Sequence, residues 1–242
     1  MKSALPPRFV IAASVASGLA EVSGAELHHM RDVLRLPINS AVSILDADGI
    51  AHEGILMRYD RDRAIIKIES SHPPAMHPRI ILATAIVKGP RMDFVVEKAA
   101  ELGAAQLWPI VSARAVVRSP GAERILRWRR LATAAAKQSH SPGTMEVRPP
   151  INFIDLIRTV PEDTLAVICG AGCEPLGDAI RRLAPHNILI AVGPEGGFDP
   201  GERTSAAENG FVAVGLGANR LRSETAALAA VSIAANALHV MT

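Results

Sequence analysis

Apolar residues follow two different patterns along this chain. Up to about residue 70 they form short runs separated by polar turns. Ala41-Val-Ser-Ile-Leu45, Gly54-Ile-Leu-Met57 and Ala64-Ile-Ile-Lys-Ile68 predict strands, and Asp46-Ala-Asp-Gly49 and Asp60-Arg-Asp62 predict turns between them. A short helix is expected over Ala25–Leu34, capped by Ser23 or Gly24, and the stretch from Phe9 to Ala20 reads as a strand and a turn. This region predicts a small β-barrel or sandwich. From residue 79 the pattern changes. Apolar runs at 80–87, 105–111, 164–169, 188–192 and 211–216 alternate with helical patterns at 91–102, 123–138, 151–159, 175–184, 200–208 and 223–240. Near-continuous apolar strands alternating with helices predict an α/β fold whose parallel sheet is covered on both faces. Ser70-Ser-His-Pro-Pro-Ala-Met-His-Pro78 has the composition of a linker, which divides the chain into domains 1–72 and 73–242. Asp199-Pro200-Gly201-Glu202 predicts an Asp-led capping box at a helix start.

Composition narrows the function. Hydrophobic residues are 49% and charged residues 21%, ordinary for a soluble globular chain. Aromatics are only 3%, which argues against RNA binding by rows of stacked rings. Residues 1–73 carry 8 Lys+Arg against 9 Asp+Glu, and residues 74–242 carry 18 against 15. Within the basic part, residues 113–130 hold Arg114, Arg118, Arg124, Arg127, Arg129 and Arg130 against Glu123 alone. Such a cluster suits a nucleic-acid contact surface, and equally a solvated helix face. The two cysteines, Cys169 and Cys173, exclude a disulfide scaffold and point to a reducing, cytoplasmic compartment. His28-His29 lack a third ligand, so no metal is expected. The apolar stretch after Lys2 is broken by Pro6, Pro7 and Arg8, unlike a signal peptide, and the Ala-rich stretch 225–241 is broken by Ser232, Asn236 and His239. The latter reads as a buried helix rather than a membrane span.

Two glycine-marked turns carry the candidate chemistry. Gly193-Pro-Glu-Gly-Gly197 follows the apolar run Ile188 to Val192, and Leu216-Gly217 follows the run from Phe211. Both sit at the carboxyl ends of expected strands, where open α/β sheets bind ligands. The first strand ends in Lys88-Gly89-Pro90-Arg91, without the early glycine fingerprint of dinucleotide folds, and a P-loop is absent. Glu195 at a loop tip opposes a phosphate dianion. A neutral or cationic adenosine ligand fits better, and S-adenosylmethionine is one.

The blocks Gly193-Pro-Glu-Gly-Gly197, Leu216-Gly217, Leu221-Arg222-Ser223-Glu224-Thr225-Ala226 and Glu97-Lys98-Ala-Ala-Glu101-Leu102-Gly103 resemble the signatures of a bacterial RNA methyltransferase family. That family methylates N3 of a decoding-site uridine in small-subunit (16S) ribosomal RNA and belongs to the knotted SPOUT superfamily. His28/His29 with Val33-Leu34-Arg35-Leu36 also match its PUA-like β-barrel domain. The resemblance covers nearly the whole chain. Two positions depart from it: Ser223 stands where Thr is common, and His140 and Ser141 stand where an arginine often follows Gln138-Ser139.

The resemblance implies a C-terminal trefoil knot, a homodimer, S-adenosylmethionine as cofactor, and 16S rRNA or the small subunit as partner. Cofactor contacts are then expected at Cys169 and Gly170, at Gly193, Pro194, Glu195, Gly196 and Gly197, and at Leu216, Gly217, Leu221, Arg222 and Thr225. Arg222 is the candidate for stabilising charge on the uracil oxygens. Glu224 and Glu195 are alternative proton acceptors, and solvent is a third. Arg222 and Glu224 could instead pair at a helix start. Arg31, Arg35, Lys88, Arg91, Arg114, Arg118, Arg127 and Arg130 are candidate RNA contacts. Two rival readings are a non-catalytic RNA-binding ribosome-assembly protein and a small-molecule enzyme with an adenine cofactor.

Overall fold

The computed structural model describes residues 6–11, 15, 17–48, 50–72, 79–117, 119–139 and 144–239. Arg118, Gly49, the departure at His140 and Ser141, and residues 73–78 of the expected linker lie outside them. The chain forms two units: Met1–His77 with Ala136–Thr144, and Pro78–Ala135 with Met145–Thr242.

The first unit is a five-stranded sheet of order β1-β3-β4-β5-β2, made of β1 (Arg8–Val10), β2 (Leu19–Ser23), β3 (Ala41–Leu45), β4 (Ala51–Tyr59) and β5 (Arg63–His72). All neighbours are antiparallel except β1 and β3. Phe9, Val22, Met30, Val42, Ile44, Leu56 and Ile66 fill its core. The expected helix is present as α1 (Gly24–His28), continued by a π-helical turn, His29–Val33. The linker reading needs correction. β5 runs through His72, and Ser71 Oγ meets His52 Nδ1 at 2.8 Å, so Ser70–His72 pair with β4. His52 Nε2 in turn meets the buried Asp46 carboxylate at 3.0 Å.

The second unit holds a seven-stranded sheet in which every described pairing is parallel. Its strands are β6 (Ile80–Ala85), β7 (Gln106–Val111), β8 (Glu146–Val147), β9 (Ile151–Asn152), β10 (Thr164–Pro175), β11 (Asn187–Val192) and β12 (Val212–Gly215). The order is β12-β10-β11-β6-β7-β8, with β9 also on β7. Side chains alternate between two cores, as strand geometry requires. Leu82, Leu107, Val167 and Ile190 face one, and Ile81, Trp108, Ile168 and Leu189 face the other. The first core is covered by α2 (Pro90–Glu101), α3 (Ala122–Ser139), α5 (Leu176–Leu183) and α7 (Ser223–His239). The second is covered by two short helices, α4 (Phe153–Ile157) and α6 (Pro200–Glu208). The helical pattern at 151–159 is thus split. Ile151 and Asn152 pair with β7, and only Phe153–Ile157 is helical.

The capping box forms as expected: Glu202 N donates to Asp199 Oδ1 at 2.8 Å, and Asp199 N to Glu202 Oε2 at 2.9 Å. Glu202 also accepts from Ala113 N at 2.7 Å, so one buried carboxylate ties the loop after β7 to the start of α6. Glu202→Ala removes the carboxylate to which Asp199 N and Ala113 N donate and lowers the unfolding free energy of this unit by about 3 kcal/mol. Urea unfolding followed by tryptophan fluorescence measures it, because both Trp108 and Trp128 lie in this unit.

Asp46 gives a pH signature in the first unit. Desolvation pushes its pKa up, but His52 and the N–H groups of Ile50 and Asp48 outweigh this and hold it below the usual value. A depressed folded pKa contributes stability that is present above the unfolded value and lost as pH falls through the folded one. Asp46→Asn is therefore expected to cost about 2 kcal/mol at pH 7, with the gap to wild type closing below about pH 4, in urea unfolding followed by far-ultraviolet circular dichroism.

Candidate active site

The site follows from strand order. The crossover leaving β6 runs through α2 to β7 on one side, and the crossover leaving β11 runs through α6 towards β10 and β12 on the other. β6 and β11 are neighbours, so their carboxyl ends part at a topological switch point, where parallel sheets leave a crevice. The loop Gly193–Gly197 leaves β11 at this point.

Two more loops leave the adjacent strands. β10 does not end at Cys169 as the apolar run suggested. It pairs Cys169 with Val214, bulges outward over 170–173, and pairs Glu174 with Val214 and Pro175 with Gly215. The bulge leaves Gly170 exposed and brings the Cys173 carbonyl to 2.9 Å from where a Gly215 Cβ would sit, so this approach needs glycine. Beyond β12, Gly217 has φ +128, a backbone region that L side chains rarely adopt, and nothing lies within 4 Å of where its Cβ would sit. The loops after β11, β10 and β12 thus present exposed backbone along one sheet edge. An adenosine-type ligand needs such backbone donors and acceptors with no Cβ in the way, and the residues present fit that group.

The side chains around this edge are tied together. Arg91, in the first turn of α2, places Nη1 at 3.3 Å from Glu195 Oε1 and 3.4 Å from Glu224 Oε2. One guanidinium therefore joins the start of α2, the Gly193–Gly197 loop and the start of α7. The group is partly exposed, so its worth is positional more than stabilising. Arg220 Nη2 donates to Glu195 O at 3.3 Å, and Arg114 Nη1 donates to Gly196 O at 2.8 Å. Pro194 is buried, Gly193, Gly197, Leu216 and Leu221 are half-buried, and Glu195, Gly196, Arg222 and Thr225 are exposed. Burial, with Cys173 adding to it, pushes the Cys169 thiol up to about 12, so it remains a neutral packing group rather than a nucleophile.

Every predicted cofactor residue lies on these three loops or at the start of α7. The ion pair reserved for Arg222 and Glu224 falls instead to Arg91 and Glu224. The predicted RNA arginines divide. Arg91 and Arg114 turn inward to the site loops, and Arg127 pairs with Asp93 at 2.9 Å. Lys88 and Arg130 are exposed. In the first unit Arg31 pairs with Asp32, and Arg35 is exposed with φ +51. The sequence reading missed the tethering roles of Arg220 and Arg91. No local pattern marks them, because their partners lie 25 and 104 or more residues away along the chain.

Comparison with known proteins agrees with this geometry. Residues 75–235 match the family described as RNA methyltransferase domain. The ribosomal RNA small subunit methyltransferase E of Aquifex aeolicus is 32% identical over 198 residues, 78% of this chain and 84% of that protein. The Bacillus subtilis protein of the same name is 28% identical, over 87% of each. Among solved structures, ribosomal RNA small subunit methyltransferase E from Neisseria gonorrhoeae bound to S-adenosyl methionine superposes with a TM-score of 0.82 at 32% identity, covering 94% of this chain and 96% of that one. The chain belongs to the ribosomal RNA small subunit methyltransferase E family.

Proposed function

We propose that this protein transfers a methyl group from S-adenosylmethionine to N3 of a decoding-site uridine in 16S ribosomal RNA. The observation that carries the reading is the set of three backbone-rich loops at the carboxyl ends of β11, β10 and β12, on a chain of this family. Gly193–Gly197, Leu216, Gly217 and Leu221 hold the cofactor, with Cys169, Gly170 and Thr225 beside them. The cofactor supplies an electrophilic methyl group on a sulfonium.

The chain's own work is positioning and charge control. Uridine N3–H is a weakly acidic imide, and its proton must leave as the nitrogen attacks. Holding two reactants in line supplies much of the rate. Arg222, exposed at the start of α7, stabilises the negative charge that spreads onto the uracil oxygens. Glu195 and Glu224 both reach Arg91 at this edge, and the imide proton leaves to solvent or to one of these carboxylates.

The same reading takes the second unit as a SPOUT domain with a trefoil knot. In its favour, α7 starts beyond the edge strand β12 yet returns to pack on β11, β6 and α2. It takes the first unit as a PUA-like barrel that docks RNA through Arg31 and Arg35. Lys88, Arg118, Arg127 and Arg130 contact RNA phosphates. A homodimer covers the exposed apolar side chains Phe94 and Leu126. A non-catalytic assembly protein would have no use for three glycine loops at one sheet edge.

Labelled methyl transfer to small ribosomal subunits tests the chemistry. Arg222→Ala is expected to lower kcat about 100-fold at saturating cofactor, a loss larger than any change in the calorimetric cofactor Kd. An unchanged kcat would remove Arg222 from the reaction.

A further inference from the structure

A second cavity opens on the face of the sheet covered by α4 and α6. It is an open cleft of about 580 Å³, a volume suited to a nucleoside-sized group. Val111, Phe153 and Ile154 supply apolar wall, and Ser112, Asn152 and Asp155 supply polar atoms. It exists because that face carries only two short helices, which leave the carboxyl end of β7 uncovered.

Ser112 is the unexplained member. The residue is 4% exposed, and its Oγ is buried without a hydrogen-bond partner among the described residues. Such an orphan costs about 1–3 kcal/mol, and native proteins rarely keep one without a use. Asp155, by contrast, is exposed and accepts from Asn152 Nδ2 at a long 3.4 Å, which leaves acceptor capacity unspent. Asp199 and Glu202 also line the cavity, and both are engaged in the capping box.

The chemistry of the walls selects the ligand class. The polar lining consists of carboxylates, an amide and a hydroxyl, with no Lys, Arg or His among the lining residues. A phosphate would be repelled. No group of three His, Cys, Asp or Glu among the described residues is placed to hold a metal ion. What remains is a flat, largely apolar group that offers N–H donors. Location adds a second argument. Phe153 stacks on Phe198 with ring centroids 4.2 Å apart, and Phe198 directly follows Gly197. Arg114, two residues after Ser112, donates to Gly196 O. The lining residue Phe153 therefore packs on the residue that follows the Gly193–Gly197 loop.

We propose that this cavity receives an unstacked nucleobase of the RNA substrate, one that carries an exocyclic amino group. The inference rests on the RNA methyltransferase reading above. Asp155 accepts from the amino group, a turn of the Ser112 side chain brings its Oγ, buried in the free protein, to the base edge, and Val111 and Ile154 cover its faces. RNA is read in this way where bases are splayed from the strand. A base held here fixes the strand on which the target uridine lies, so the cavity is a specificity subsite rather than a reaction site.

Ser112→Ala and Asp155→Asn, each in the full chain, test this with small ribosomal subunits as substrate. Each is expected to raise KM for the subunit five- to tenfold, with kcat and the calorimetric cofactor Kd changing less than twofold. Ser112→Ala should also leave Tm unchanged or higher, because it removes an unsatisfied group; a serine with a purely structural role would lower Tm and leave KM alone. An unchanged KM in both variants overturns the proposal, as does an equal loss of cofactor binding. If wild-type protein transfers no methyl group at all, the function proposed above fails and the subsite falls with it. Wild-type turnover with unaltered variants rejects the subsite alone. Ligand-observed NMR with cytidine and uridine supplies a direct readout. Cytidine should bind wild type and lose its signal with Asp155→Asn, and equal signals from both nucleosides would overturn the amino-group requirement.

Discussion

The divergence of the crossovers after β6 and β11 is the constraint on which the rest of the second unit depends. Two neighbouring parallel strands send their chains in opposite directions, so nothing from either crossover closes the gap at their carboxyl ends. Everything assigned to chemistry lies along this edge. The loop after β11 enters it directly, the bulge of β10 and the loop after β12 extend it, and the starts of α2 and α7 bring side chains to it. The alternation of Leu82 and Ile81, or Ile190 and Leu189, between two cores keeps the sheet covered on both faces and holds that edge rigid.

Ion pairing at this edge positions the chain segments that meet there. Both carboxylates near the reacting region lean on the same guanidinium, Arg91. The pairing fixes where three chain segments lie: the start of α2, the Gly193–Gly197 loop and the start of α7. Cys169 offers no alternative, since burial keeps its thiol protonated. On the opposite face Glu202 does comparable work with backbone donors, joining the loop after β7 to α6. Arg91 reaches Glu195 within the Gly193–Gly197 loop, and Glu202 holds Asp199 just beyond it.

How much of this was legible in the sequence depends on the range of the interactions concerned. The parallel α/β unit, the bounds of α6 and the capping box are set by apolar periodicity and by contacts three residues apart, and these read correctly. The glycine loops read correctly too, because Gly217 and Gly193–Gly197 follow apolar runs that could only be strand ends. β8 and β9 did not, since two-residue strands have no period and exist only through pairing with β7. The bulge over 170–173 looked like the end of a strand, because its pairing with β12 is tertiary. Ser71 sat in a run of linker-like composition, yet its partner, His52, lies across the sheet. Arg91 looked like one more surface cation until Glu195 and Glu224 met it through the fold. Ser112 carried no sequence signal, because an orphaned hydroxyl is defined entirely by what surrounds it.

The atom that is methylated distinguishes uridine N3 chemistry from every alternative. Small ribosomal subunits lacking the modification, incubated with the protein and S-adenosylmethionine and digested to nucleosides, can be resolved by liquid chromatography and mass spectrometry against authentic standards. The expected result is the gain of one 3-methyluridine per particle and of no other methylated nucleoside. Methylation at a ribose 2′-hydroxyl or at another base, or no gain by active, cofactor-binding protein, would contradict it.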